Sequence, residues 1–99
     1  MMWIEMVFLR SDQTALEEAE RSLAQWIEES ALDSDIDGIQ LLQQYPEIGD
    51  FMVAIRWNSD RVPERTRVGY AINRFLEKYG STKHTTWILT HSILRSRKE

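Results

Sequence analysis

Four stretches of this chain are rich in apolar, β-branched and aromatic residues and are bounded by turn residues, a pattern typical of β-strands. The predicted strands cover residues 2–10, 39–45, 51–57 and 85–94. The second stretch also fits a helix, but we interpret it as a strand because Pro46 and Gly49 end it promptly. Residues 39–57 would then form a hairpin.

Two other segments show apolar residues at helical spacing. Thr14 followed by Glu17 fits a capping box, so a helix is predicted over about residues 15–31. A second helix is predicted over about residues 63–79, with a serine or an aspartate at residues 59–60 as its cap.

The resulting order is β-α-β-β-α-β, the arrangement of ferredoxin-like domains. It predicts an α+β fold in which two helices cover one face of an antiparallel-rich, four-stranded sheet. A length of 99 residues suits a single domain, which we place at residues 1–99.

The sheet face that the helices leave open is predicted to be largely apolar, and such a face is rarely left in water. By alternation it holds Trp3, Glu5, Val7, Leu9, Leu42, Met52, Ala54, Arg56, Ile88 and Thr90. We therefore predict a homodimer through this open face, with an interface made by Glu5, Val7, Met52, Arg56 and Ile88. Glu5 and Arg56 would lie on adjacent strands and pair there. The alternative is a phase error of one residue, which would exchange the two faces of a strand.

Composition and charge argue against several classes of function. The chain has 12 basic and 16 acidic residues, a net charge of −4, which disfavours nucleic acid as a partner. It has no cysteine, so disulfides and thiol chemistry are excluded. No apolar run reaches transmembrane length, and the first residues lack the basic start of a signal peptide. We expect a cytoplasmic protein without a membrane partner.

Aromatic residues supply the first candidate chemistry. Four tryptophans in 99 residues is a high content, and large rings either fill a small core or line a pocket. A cleft between helices and sheet would bind a flat apolar or aromatic molecule through Trp26, Trp57, Asn58, Phe75 and Trp87. Tyr70 and His91 are the candidate catalytic residues: His91 would deprotonate a phenolic substrate. The alternative is that the rings are the packed core.

Charged residues near the second helix suggest a weaker possibility. Arg61 and Arg65 stand near its N-terminus and can receive a carboxylate or a phosphate, with a solvated face as the alternative. His84 and His91 are the two histidines, and their spacing places them on opposite faces of a strand. A shared metal site is therefore not predicted.

Three aspartates give the sharpest local motif. Asp33, Asp35, Asp37 and Gly38 match the first half of a calcium-binding loop, but Gln44 stands where that loop has a bidentate glutamate. An acidic turn between helix and strand explains the same residues through local backbone preferences. We predict no metal and no cofactor, with calcium at the aspartates as a distant alternative.

The hairpin resembles the antibiotic-biosynthesis-monooxygenase-like domains of the dimeric α+β barrel superfamily. The motifs that carry the resemblance are Gly38-Ile-Gln-Leu-Leu-Gln-Gln-Tyr and Phe51-Met-Val-Ala-Ile-Arg-Trp-Asn-Ser. Such domains often show a glycine-led second strand and a third strand ending in Trp, a polar residue and Ser. The resemblance covers residues 2–94. The family includes cofactor-free quinone-forming monooxygenases and haem-degrading enzymes.

By this resemblance, Trp57 is expected to line a pocket between sheet and helices. The quinone-forming enzymes have an Asn four residues before that Trp and a Tyr six residues after it, where this chain has Val53 and Pro63. The haem-degrading members use an Asn on the first strand and a His on the second helix, and the corresponding segments of this chain have neither.

The leading prediction is a small dimeric monooxygenase-like protein that binds a flat apolar or aromatic molecule, with cofactor-independent oxygenation as its chemistry. The alternative is a non-catalytic structural or regulatory dimer with a filled core and no ligand. A calcium-responsive module is the third and least favoured hypothesis.

Overall fold

The predicted order of elements is present in the computed structural model, which describes residues 2–30, 32–46 and 49–93. The strands are β1 (Met2–Arg10), β2 (Ile36–Gln43), β3 (Asp50–Asn58) and β4 (Ser81–Ile88), and the helices are α1 (Gln13–Glu29) and α2 (Arg67–Glu77). The sheet order is β2-β3-β1-β4, and all neighbouring strands are antiparallel. Apolar residues of both helices pack against the same sheet face. The predicted ferredoxin-like α+β fold is therefore confirmed.

Both helices begin at residues other than the predicted ones. Asp12 caps α1, because its side chain accepts a hydrogen bond from the backbone N–H of Ala15 at 2.9 Å. Thr66 caps α2 in the same way, accepting from the N–H of Gly69 at 3.1 Å. The predicted capping box at Thr14 is therefore wrong, and residues 59–66 form an irregular connection. The predicted last residue of the first helix, position 31, lies outside the described residues.

The predicted and observed strand bounds agree for β1 and differ most for β4. β4 starts at Ser81, directly after Gly80, and pairs at once with Arg10. A Cβ atom on Gly80 would lie 2.2 Å from the carbonyl oxygen of Arg10, so glycine permits this close approach. The strand predicted over residues 85–94 therefore begins earlier and ends at Ile88, and its predicted last residue lies outside the described residues.

The prediction for the faces of β1 is wrong. In the β1–β3 register Trp3 lies opposite Trp57 and Val7 opposite Val53, and these residues form the core under the helices. The residues of β1 that face the helices, each at most 1% exposed, are Trp3, Glu5, Val7 and Leu9. Both faces of β1 are mostly apolar, so alternation alone could not decide which face is covered.

The centre of the open face is apolar, although its residues differ from the predicted set. Its apolar residues are Ile4, Met6, Phe8, Leu42, Met52, Ala54 and Trp87, and Gln40, Arg56, Lys83 and Thr85 lie on the same face. Ile88 was also assigned to the wrong face, because the β1–β4 register places it opposite Trp3. The predicted Glu5–Arg56 pair does not form, since the two residues lie on opposite faces. Arg56 instead approaches Asp37, with 3.9 Å between Nη2 and Oδ2.

Candidate functional site

A buried carboxylate lies between the sheet and α2. Glu5 on β1 is 0% exposed. Its Oε1 accepts hydrogen bonds from the indole Nε1 of Trp57 at 2.9 Å and from the hydroxyl of Thr66 at 2.5 Å. Its Oε2 accepts from the backbone N–H of Thr66 at 2.9 Å and lies 2.7 Å from Nε2 of His84. Four donors therefore replace the water that a carboxylate loses on burial.

The local sequence explains how these donors reach Glu5. The register of the sheet places Glu5 opposite Ile55 on one side and Thr86 on the other, so His84 and Trp57 project from the neighbouring strands on the same face. The first turn of α2 lies directly over the carboxylate, where the positive end of the helix favours a negative charge. Gly69 allows this approach because it has no side chain.

His84 is held at one ring nitrogen only. If Glu5 is ionised, its carboxylate can only accept, and Nε2 of His84 then carries the hydrogen of this bond. Nδ1 is buried and has no hydrogen-bond partner among the described residues. The side chain is 4% exposed, and the ring of Tyr70 packs against it edge-to-face, with 5.3 Å between ring centroids. One nitrogen of this imidazole is thus unused.

A cavity of about 340 Å³ adjoins this network, because Trp57 and Thr66 belong to both. Arg61 lies over the Trp57 ring at 5.5 Å and pairs with Asp33, with 3.3 Å between Nη1 and Oδ2. Arg65 lies over the ring of Tyr70 at 5.7 Å. The walls of this Trp57 cavity therefore combine aromatic rings with guanidinium groups, which suits a flat molecule that carries polar substituents.

Comparison with known proteins gives a match in structure but not in sequence. No family profile matches the chain, and no curated protein matches it significantly. A proposed antibiotic biosynthesis monooxygenase from Deinococcus radiodurans superposes with a TM-score of 0.62 at 11% identity, over 96% of this chain and 99% of that chain. The chain shares the fold of this protein, a four-stranded antiparallel sheet with two helices on one face.

Two further structures share this α+β fold. A variant of SnoaB, a cofactor-independent oxygenase from Streptomyces nogalater, has a TM-score of 0.61 at 9% identity and covers 95% of this chain and 97% of its own. A conserved protein of unknown function from Bacteroides thetaiotaomicron, with a suggested oxidoreductase role, has a TM-score of 0.64 at 16% identity and covers 87% of this chain and 95% of its own. At these identities the likeness establishes the fold.

Within this α+β fold, the predicted ligand-binding residues do not converge. Trp57 lines the cavity, as does the predicted catalytic residue Tyr70. Trp26 and Phe75 pack on each other between the helices, at 6.2 Å between ring centroids. Trp87 lies on the opposite sheet face, where its Nε1 donates to Thr85.

The remaining predicted residues lie at the ends of strands. Asn58 is the exposed last residue of β3, and His91 is exposed beyond the end of β4. His91 therefore does not line the Trp57 cavity. Sequence reasoning missed Glu5 and His84 as a pair. The signal available was a single charged residue within an otherwise apolar first strand.

A second, larger cavity of about 550 Å³ opens on the other sheet face. Its apolar lining includes Phe8, Leu42 and Met52, and the exposed ion pair of Arg10 and Asp50 stands at its edge. The hydrogen bond from Arg10, at 2.8 Å, lowers the pKa of the Asp50 carboxyl. No buried acid–base pair adjoins this cavity among the described residues, so we place the candidate site at the smaller one.

The three aspartates of the calcium-like motif are engaged elsewhere. Asp33 accepts from the backbone N–H of Asp35 at 2.9 Å and pairs with Arg61. Asp37 belongs to β2 and approaches Arg56. In the part of the chain that the structure describes, no three His, Cys, Asp or Glu side chains are grouped as metal ligands. The same part contains no helix that is both long and apolar enough to cross a membrane.

Proposed function

We propose that this chain is a monooxygenase-like homodimer that binds a small flat aromatic molecule in the Trp57 cavity and oxygenates it without a cofactor. The observation that carries the proposal is the position of the cavity, which shares Trp57 and Thr66 with the buried Glu5–His84 pair. An aromatic substrate in this cavity would lie close to the Glu5–His84 pair, which can transfer a proton. The structural similarity to SnoaB, a cofactor-independent oxygenase, supports the same class of reaction.

The size and walls of the cavity indicate the class of ligand. A volume of about 340 Å³ is at the lower end of the range for small-molecule sites and suits one or two fused rings. Tyr70 is 48% exposed, so its ring is available for stacking. Arg61 and Arg65 offer donors to the oxygen substituents of a phenol or a quinone.

Ligand binding is tested by quenching of tryptophan fluorescence with 1,4-naphthoquinone, and turnover by oxygen uptake with a dihydroxynaphthalene. Replacement Tyr70→Ala is expected to weaken binding about tenfold through loss of the stacking wall. Tyr45→Ala is the matched control, because Tyr45 is 92% exposed and does not line the cavity. The absence of quenching in the wild type, or equal affinities in the two variants, would contradict the proposal.

The dimer is proposed through the open sheet face. Ile4, Met6, Phe8 and Met52 form a continuous apolar surface on the two central strands, and a covering subunit would remove it from water. Met6→Lys is expected to convert the dimer to a monomer, because a lysine would be buried without a partner. Glu18→Lys, which introduces the same side chain on the exposed side of α1, should leave the dimer intact. Sedimentation equilibrium measures both masses, and a monomeric wild type would refute this part.

One observation favours the second candidate, a structural or regulatory dimer without a ligand. Trp57 is 1% exposed, and its ring stacks on Trp3 with 5.2 Å between centroids. The space between sheet and helices is therefore largely filled. An intact dimer that gives no response to the quinone and consumes no oxygen would establish this candidate instead.

A further inference from the structure

The proposed function leaves one buried imidazole without an assigned role. His84 is held by Glu5 through Nε2, while Nδ1 is buried without a hydrogen-bond partner among the described residues. A carboxylate that fixes one nitrogen of an imidazole sets its tautomer and leaves the other nitrogen as a proton acceptor. Three other buried side-chain atoms of the described residues also lack a partner, on Trp3, Asn73 and Thr86, but of the four only Nδ1 of His84 is a base beside a buried carboxylate.

We propose that His84 is the general base of the site, with Glu5 as its positioning residue; this rests on the proposed function. Nδ1 of His84 accepts the proton of a phenolic hydroxyl bound in the Trp57 cavity. The O–H bond breaks, an Nδ1–H bond forms, and the substrate becomes a phenolate. The imidazolium that results lies 2.7 Å from the Glu5 carboxylate, so the new positive charge is compensated inside the protein.

Tyr70 connects the imidazole to the cavity. Its ring lines the cavity and also packs edge-to-face on the ring of His84, which is not itself a lining residue. The side chain is half-exposed, and its hydroxyl makes no hydrogen bond to another described residue. The proposal requires this ring to rotate when a ligand enters, so that the phenol can reach Nδ1. The titratable groups that contact the His84 ring are Glu5 from β1 and Tyr70 from α2.

The proposal assigns the base to a residue different from the one predicted by sequence. His91 lies beyond β4 and is exposed, whereas His84 lies inside the fold. His84→Gln is the informative replacement, because a side-chain amide can still donate to Glu5 but cannot accept a proton at neutral pH. His91→Gln is the matched control.

The test uses 4-nitrophenol, whose phenolate absorbs visible light, at a pH where the free phenol is mostly neutral. The wild type and His91→Gln are expected to bind it as the phenolate. His84→Gln is expected to bind it with an affinity within about threefold, but in the neutral form. With a dihydroxynaphthalene, His84→Gln should lower kcat by about 10²–10⁴-fold with little change in KM.

The outcomes separate this inference from the proposed function. If the wild type binds no phenol, both are overturned. If it binds the phenol in neutral form, or if His84→Gln ionises it equally well, only the role of His84 is overturned. Should His84→Gln fail to fold, ¹⁵N NMR of the wild type decides: Nδ1 of His84 must gain a proton when 4-nitrophenol binds, and an unchanged signal overturns the assignment.

Discussion

Gly69 packs so closely against Glu5 that a side chain at position 69 would clash: a Cβ atom there would lie 2.0 Å from Oε2 of the Glu5 carboxylate. Gly69→Ala must therefore displace the carboxylate from its donors. Alanine gains about 1 kcal/mol of helix propensity, but the lost hydrogen bonds and the overpacking cost more. We expect a net loss of about 1–3 kcal/mol in the free energy of unfolding, measured by urea denaturation.

Gly38 supplies the matched control for this prediction. A Cβ atom on Gly38 would meet no atom within 4 Å, so Gly38→Ala should change the free energy of unfolding by less than about 0.5 kcal/mol. Equal midpoints for the two alanine variants would contradict the steric argument.

The hydroxyl of Thr66 makes two hydrogen bonds at once. It donates to Glu5 at 2.5 Å and accepts from the N–H of Gly69 at 3.1 Å. Thr66→Val keeps the shape and removes both bonds, so we expect a loss of about 2 kcal/mol. Thr66→Ser keeps both bonds and should lose less than about 1 kcal/mol. Chemical denaturation measures the stability of the two variants. A serine variant as unstable as the valine variant would show that the methyl group of Thr66 contributes more to stability than its two hydrogen bonds.

The ion pair of Arg10 and Asp50 predicts a dependence on pH. The hydrogen bond and charge of Arg10 lower the pKa of Asp50 in the folded protein. The resulting stabilisation is present above the pKa of the unfolded carboxyl, about 3.9, and is lost as the pH falls through the lower folded value. Asp50→Asn should therefore lower Tm slightly at about pH 7, and the difference should shrink as the pH falls through the lowered pKa of the folded carboxyl.

The effect of Asp50→Asn should be small, because both partners are exposed to water. Added salt at about 1 M should remove the difference in Tm at neutral pH, since it screens exposed charges. A difference that persists at low pH would mean that Asp50 acts through packing at the edge of the sheet.

Calcium is expected to leave Tm unchanged. Asp33 is paired with Arg61, and Asp37 faces Arg56, so the aspartates are not arranged around a cation. A native site with a Kd of about 0.1 mM would add about 2 kcal/mol at about 5 mM calcium, which a melting curve would show clearly. A rise in Tm with calcium but not with magnesium, abolished by Asp35→Asn, would establish the site that we do not expect.

The order of elements could be predicted because hydrophobic period, turn residues and length agree in each segment. The faces of β1 could not be predicted, since its two sides are almost equally apolar and only the partners of Glu5 show which side is inside. Of the site, Trp57 was predicted as a lining residue and Tyr70 as a catalytic one, and both line the Trp57 cavity. The pairing of Glu5 with His84 joins residues 79 positions apart, and periodicity within one segment carries no information about such a pair.

The donors of Glu5 stand 52, 61 and 79 positions further along the chain, on β3, before α2 and on β4. Contacts at such separations form only after large loops have closed. During folding the Glu5 carboxylate must therefore stay hydrated until β3, the start of α2 and β4 have packed against β1. We expect this network to be completed after the rate-limiting step, so that it governs the lifetime of the folded state more than the speed at which that state is reached.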